Sequence, residues 1–182
     1  VLDPEGIRIN IGDESGGEPA IAYNGTHFFV VWETMDGVDG VRVRPDGTVV
    51  GPVFRLIQSG ETFGPVSIAC SEKLCMVTFS VEGTDESVIY FTRVSKDGVV
   101  LAEVDRSLSP GLNFTGEASI AWNNSRKEFL VVWADTRGGG EALTDIYGNR
   151  VTEGGTILGG NGFPIAPWPS PSTRPISSWA RG

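Results

Sequence analysis

Four short runs of β-branched and aromatic residues, separated by turn residues, recur three times along the chain. The first copy holds Pro19-Ala-Ile-Ala-Tyr, Phe28-Phe-Val-Val-Trp, Val41-Arg-Val and Gly47-Thr-Val-Val. The second holds Pro65-Val-Ser-Ile-Ala-Cys, Cys75-Met-Val-Thr-Phe, Phe91-Thr-Arg-Val and Gly98-Val-Val-Leu. The third holds Ala118-Ser-Ile-Ala-Trp, Phe129-Leu-Val-Val-Trp, Gly148-Asn-Arg-Val and Gly155-Thr-Ile-Leu. Such residues fit a pleated, half-buried surface, so each run predicts a strand. The second run of each copy is apolar at consecutive positions, which predicts burial on both faces. A sheet with one wet face would alternate instead. Burial on both faces requires a sheet packed between two others, and a four-stranded unit repeated and stacked in this way is a propeller blade. The predicted fold is all-β: a β-propeller of four-stranded antiparallel blades.

The repeat divides residues 1–182 into one propeller segment with blades at 18–57, 64–108 and 117–166. The opening Val1-Leu-Asp-Pro-Glu-Gly-Ile-Arg-Ile-Asn matches the end of a repeat, Ile157-Leu-Gly-Gly-Asn-Gly-Phe-Pro-Ile-Ala. Residues 1–10 are therefore expected to be the last strand of a preceding blade. Pro175-Ile-Ser-Ser-Trp-Ala-Arg matches the start of one, so 175–182 is expected to be the first strand of a following blade. Three blades fall short of the usual four or more. A fragment of a longer chain, or a chain completed by a second copy or another subunit, is the expectation.

Composition narrows the partners. The 25 glycines and 11 prolines suit many tight turns rather than disorder, because hydrophobic residues still make up 40%. No apolar run approaches membrane-spanning length. A net charge of −9 argues against nucleic acid, whose phosphates it would repel, and against docking on anionic lipid. Cys70 and Cys75 flank the turn between the first two strands of the second repeat. Across a four-residue hairpin loop they face each other at a separation that a disulfide spans. A bridge implies an oxidising compartment; two small buried thiols are the alternative. A lone C-x4-C pair does not make a zinc site.

Few residues carry candidate chemistry. Asp135, Glu141 and Asp145 lie in one Gly-rich loop, where oxygen ligands could wrap a calcium ion. Asp36 and Asp39 are a thinner echo in the first repeat. The competing reading makes the aspartates turn formers, with Arg137 as the partner of one. Trp168, held between two prolines, could stack on a sugar or anchor a partner, or simply cover a gap between blades. His27 is the one histidine and falls in a turn, so no Ser/His/Asp arrangement can be built around it. No pair of carboxylates stands out as that of a glycosidase. Asn24-Gly-Thr, Asn113-Phe-Thr and Asn123-Asn-Ser fit the N-glycan acceptor pattern, but their placement reads as turn chemistry.

Glu18-Pro-Ala-Ile-Ala-Tyr-Asn-Gly-Thr, Phe129-Leu-Val-Val-Trp-Ala-Asp-Thr-Arg and Asp145-Ile-Tyr-Gly-Asn-Arg-Val resemble the repeat of large secreted or surface bacterial proteins. The likeness covers nearly the whole chain, and the second repeat departs from it most. It implies propeller blades and an extracellular or cell-surface location, and it supplies no catalytic residues. The function expected from these observations is a non-enzymatic binding or structural module for a protein or glycan, with no cofactor unless calcium. The alternative is a glycan-acting enzyme of glycosidase or lyase type on a propeller scaffold. Two or three carboxylates grouped at the channel mouth would favour the enzyme.

Overall fold

The computed structural model describes residues 3–9, 16–35, 37–58, 62–83, 87–109, 115–137 and 144–166. Among them every regular element is a strand. The first antiparallel sheet is ordered β1 (Pro19–Tyr23), β2 (Phe28–Thr34), β3 (Gly37–Val43) and β4 (Val49–Gln58). In the second, β5 (Thr62–Phe63) and β6 (Ser67–Cys70) share the inner place, both pairing with β7 (Leu74–Glu82). β8 (Ser87–Ser95) and β9 (Val100–Ser107) complete that sheet. The third runs β10 (Thr115–Asn123), β11 (Glu128–Asp135), β12 (Asp145–Thr152) and β13 (Phe163–Ala166).

Each sheet is a meander, and its turns are chemically specified. Asn24 Oδ1 accepts hydrogen bonds from the Thr26 and His27 amides, at 2.9 and 2.8 Å. Ser71 Oγ accepts from the Lys73 and Leu74 amides, and Asn123 Oδ1 from those of Ser125 and Arg126. All three close the hairpin from the first to the second strand. The tight turn after the third strand ends each time on a glycine in the left-handed region: Gly47, Gly98 and Gly155, with φ of 87°, 85° and 85°. A side chain there would be strained, which is why glycine recurs at that place.

The three sheets stack face to face in a propeller-like array, with β6 packing against both β1 and β10. Phe29 and Val31 of β2 meet Cys75, Val77 and Phe79 of β7 in one core. Met76, on the opposite face of β7, joins Phe129, Val131 and Trp133 of β11 in the next. Cys75, Val77 and Phe79 of β7, and Phe129, Val131 and Trp133 of β11, thus face the preceding sheet, and the positions between them face the other way. Burying one such side chain fully stabilises by about 1.5–3 kcal/mol, so these stripes dominate the packing. One expectation fails at the edge of the array. β11 is not buried on both faces, because Leu130 is 37% exposed where no described sheet follows.

Cys70 and Cys75 are joined in a disulfide across the β6–β7 hairpin. That covalent bond is consistent with an oxidising compartment. No helix among the described residues is long and apolar enough to cross a membrane.

Candidate functional site

The candidate site lies where the connectors enter the inner strands. Glu18 immediately precedes β1, Glu33 is near the end of β2, and Glu82 ends β7. These ends sit side by side because the sheets stack. The chain reaches β1 through Gly17, whose amide bonds to the Glu33 carbonyl at 2.9 Å, and Gly64 does the same with the Ser80 carbonyl at 3.0 Å. A Cβ on Gly17 would come within 3.1 Å of the Glu33 Cβ, and one on Gly64 within 2.1 Å of Ser80 Oγ. Glycine at these two places leaves room for the side chain opposite.

Glu33 is the unusual member. Its carboxylate accepts a hydrogen bond from the Val66 N–H, between β5 and β6, while Oε1 is buried with no partner. Burial is the largest influence and pushes its pKa above the ordinary carboxylate range; repulsion from Glu18 and Glu82 pushes the same way, outweighing the Val66 bond. A carboxyl group held in this way keeps its proton to higher pH and can deliver it as a general acid. Glu18 and Glu82 are exposed, so the group sets a carboxyl with a buried oxygen beside two that face solvent.

The residues singled out from sequence fall elsewhere. Asp135 and Asp145 face each other across the β11–β12 ladder, and both are buried. Asp135 Oδ1 accepts from the Arg137 amide at 2.9 Å. Its Oδ2 accepts from Trp133 Nε1 at 3.0 Å and Arg137 Nε at 2.8 Å, and also from Arg137 Nη2. Burial alone would raise the pKa of Asp135, but these bonds and the Arg137 charge together bring it below the ordinary range. Arg137 is fixed in turn by the Asn161 carbonyl at 2.8 Å and by the Tyr147 ring, 4.1 Å away. These contacts are those of the competing reading, a turn-forming aspartate partnered by Arg137. Asp39 is likewise held by Arg55 through both oxygens, at 2.7 and 3.0 Å. Asp36, Glu141 and Trp168 lie outside the described residues. Among the described residues no three His, Cys, Asp or Glu side chains are grouped closely enough to hold a metal ion.

Glu33 did not stand out in the sequence, although a signal was there. It follows the last aromatic of its second strand, where the other two repeats place Ser80 and Ala134. A charge where its counterparts are small and uncharged marks a place the fold does not require.

No protein-family model matches the chain, and no curated protein does. Its three sheets are similar to the scaffold of a solved endo-arabinase from Bacteroides thetaiotaomicron. The TM-score is 0.58 at 14% identity, over 87% of this chain and 66% of the arabinase. This chain therefore spans just under two thirds of that protein's length. The catalytic domain of the Coprinopsis cinerea GH62 α-L-arabinofuranosidase superposes less well, with a TM-score of 0.46 at 9% identity over 81% of this chain and 50% of that one. The likeness to the arabinase concerns the fold. It nonetheless corrects the expectation of a non-enzymatic binding or structural module, and with it the reading that the chain is more likely not an enzyme. The scaffold is one that a glycan-acting enzyme uses. The repeat pattern misled because it reports strand packing, whereas carboxylates that act together come from separate strands and leave no period in the sequence.

Proposed function

We propose that this chain forms part of a glycan-acting enzyme of glycosidase type on a propeller scaffold, working outside the cell or at its surface. The observation that carries the reading is Glu33, a carboxyl with one unpartnered buried oxygen, electrostatically coupled to Glu18 and Glu82. Its scaffold is similar to that of an endo-arabinase. Glycosidic bonds are commonly cleaved by two carboxyl groups in opposite protonation states, one protonating the leaving oxygen while the other acts as base or nucleophile. Glu33 suits the first role and Glu18 or Glu82 the second. The environment that raises one pKa while its neighbours stay exposed is the device that separates the two roles. The disulfide and the resemblance of the repeat to those of secreted and surface proteins support the extracellular location.

The test is release of reducing ends from a panel of polysaccharides headed by arabinan, with Glu33→Gln alongside. Hydrolysis of one glycan, reduced by about 100-fold or more in the variant, is the expected result. Equal rates in the two proteins remove Glu33 from the chemistry. Failure of the wild-type chain on every glycan, in its native full-length context, rejects the enzyme.

A further inference from the structure

Each interface between sheets is latched by the same arginine. Arg42, in the third strand of the first sheet, donates from Nη1 to the Lys96 carbonyl of the second at 3.5 Å. Arg93, its counterpart in the second sheet, donates to the Glu153 carbonyl of the third at 3.1 Å. Both guanidinium groups lie over the glycine that closes the next sheet's hairpin. A Cβ on Gly98 would come within 3.0 Å of Arg42 Nε, and one on Gly155 within 3.0 Å of Arg93 Cζ. Arg150 is the next arginine in the series. Among the described residues no hairpin follows to receive it, and its Nη1 reaches Glu128 Oε1 at 3.4 Å instead.

Arg150 borders an apolar face. Leu130, Ile146, Phe163 and Ile165 of the third sheet are 37%, 39%, 36% and 45% exposed. A cavity of about 440 Å³ opens against this face, lined by Leu130, Phe163 and Ile165 with Arg126, Glu128 and Arg150. Met76, which occupies the place of Leu130 in the second sheet, is fully buried under the sheet that follows. In the two existing interfaces the inner strand of the following sheet lies on the face that precedes it: Ile68 packs with Phe29 and Val31, and Ala118 with Met76.

We propose that the segment 175–182 of this chain is the inner strand that covers this face. Its Pro175-Ile-Ser-Ser-Trp carries the same start as Pro19-Ala-Ile-Ala-Tyr. It also follows Ala166, the end of β13, at the interval by which Ser67 of β6 follows Gln58 of β4. The connector therefore has the length that already carries the chain from one sheet to the next. Docked there, with side chains alternating along the strand, Trp179 takes the place that Trp122 has on the preceding sheet and supplies the apolar partner that Leu130 and Phe163 lack, and a fourth blade begins.

The experiment is a double-mutant cycle in the full chain, read as urea midpoints, with Leu130→Lys, Trp179→Ala and the pair. If the segment covers the face, each change lowers the midpoint, and the pair lowers it by clearly less than the sum, because both break one contact. Leu130→Lys with the midpoint of the wild type, as for an ordinary surface substitution, overturns the proposal. So do effects that simply add. If a second copy covers the face instead, light scattering finds a dimer that Leu130→Lys dissociates while Trp179→Ala changes nothing, which also overturns it. Neither readout depends on enzymatic activity.

Discussion

Glu33 and Asp135 are both acidic residues near the end of a blade's second strand, one position apart in the aligned repeats, and the fold treats them in opposite ways. Asp135 is wholly buried, and both its oxygens are engaged by Trp133 and Arg137. Glu33 leaves one oxygen buried without a partner and stands near two further carboxylates. The first arrangement lowers the pKa and the second raises it. A buried carboxylate that is fully paired supports the fold; one that is repelled and under-satisfied costs stability and is kept for some other use. The disulfide draws a second contrast at the other end of the same strands. Tyr23–Phe28 and Trp122–Phe129 pair across their hairpins with ring centroids 4.8 and 4.6 Å apart. At the matching place the second blade pairs Cys70 with Cys75, so a covalent bond stands where its neighbours use aromatic contact.

The contrast breaks hardest at Asp135. Asp135→Ala should lower the unfolding free energy by about 3–5 kcal/mol, because it strands the Arg137 guanidinium and the Trp133 N–H in a buried place. Urea denaturation at neutral pH measures it; a loss within about 0.5 kcal/mol, the range of surface changes, would remove Asp135 from the framework. Next comes the disulfide. Replacing both cysteines by alanine should cost about 2 kcal/mol, the chain-entropy value for so short a loop. Trp122→Ala in the third blade should cost about 0.5–1.5 kcal/mol beyond the area lost. Equal costs at the two hairpins would mean that the bridge adds nothing to what an aromatic pair provides.

The smallest effect is on the pH dependence of stability, and its sign differs between the two acids. The folded-state pKa of Asp135 is lowered, so its contribution is present above the unfolded value of about 3.9 and is lost as pH falls through the folded one. For Glu33 the folded-state pKa is raised. Its ionisation therefore costs nothing below the unfolded value of about 4.3, and the penalty grows as pH rises from there through the folded pKa. Glu33→Gln should match the wild type in acid and exceed it at neutral pH, in a series of urea midpoints against pH. A variant less stable than the wild type at neutral pH would show that Glu33 supports the fold.

The sequence alone determined most of the strands, their order within each sheet and the place of the disulfide; it missed β5, and it placed the fourth strand of the third sheet at Gly155-Thr-Ile-Leu, where only Ile157 makes a single bridge, because the run that pairs with β12 is Phe163–Ala166. What it determined depends on local features: an Asn or Ser that caps a hairpin, a glycine that alone accepts the turn after the third strand, and an apolar stripe that must be covered. It also held the turn role of Asp135, two residues from its arginine. What only the tertiary structure decided was which carboxylates meet. Glu33 and Glu82 come from strands of two sheets and Glu18 from the connector before β1, and the hydrogen bond to Glu33 comes from Val66 in the next repeat. Burial and repulsion act through distance in space, and a periodic sequence records the spacing of strands along the chain but not the gaps between their ends.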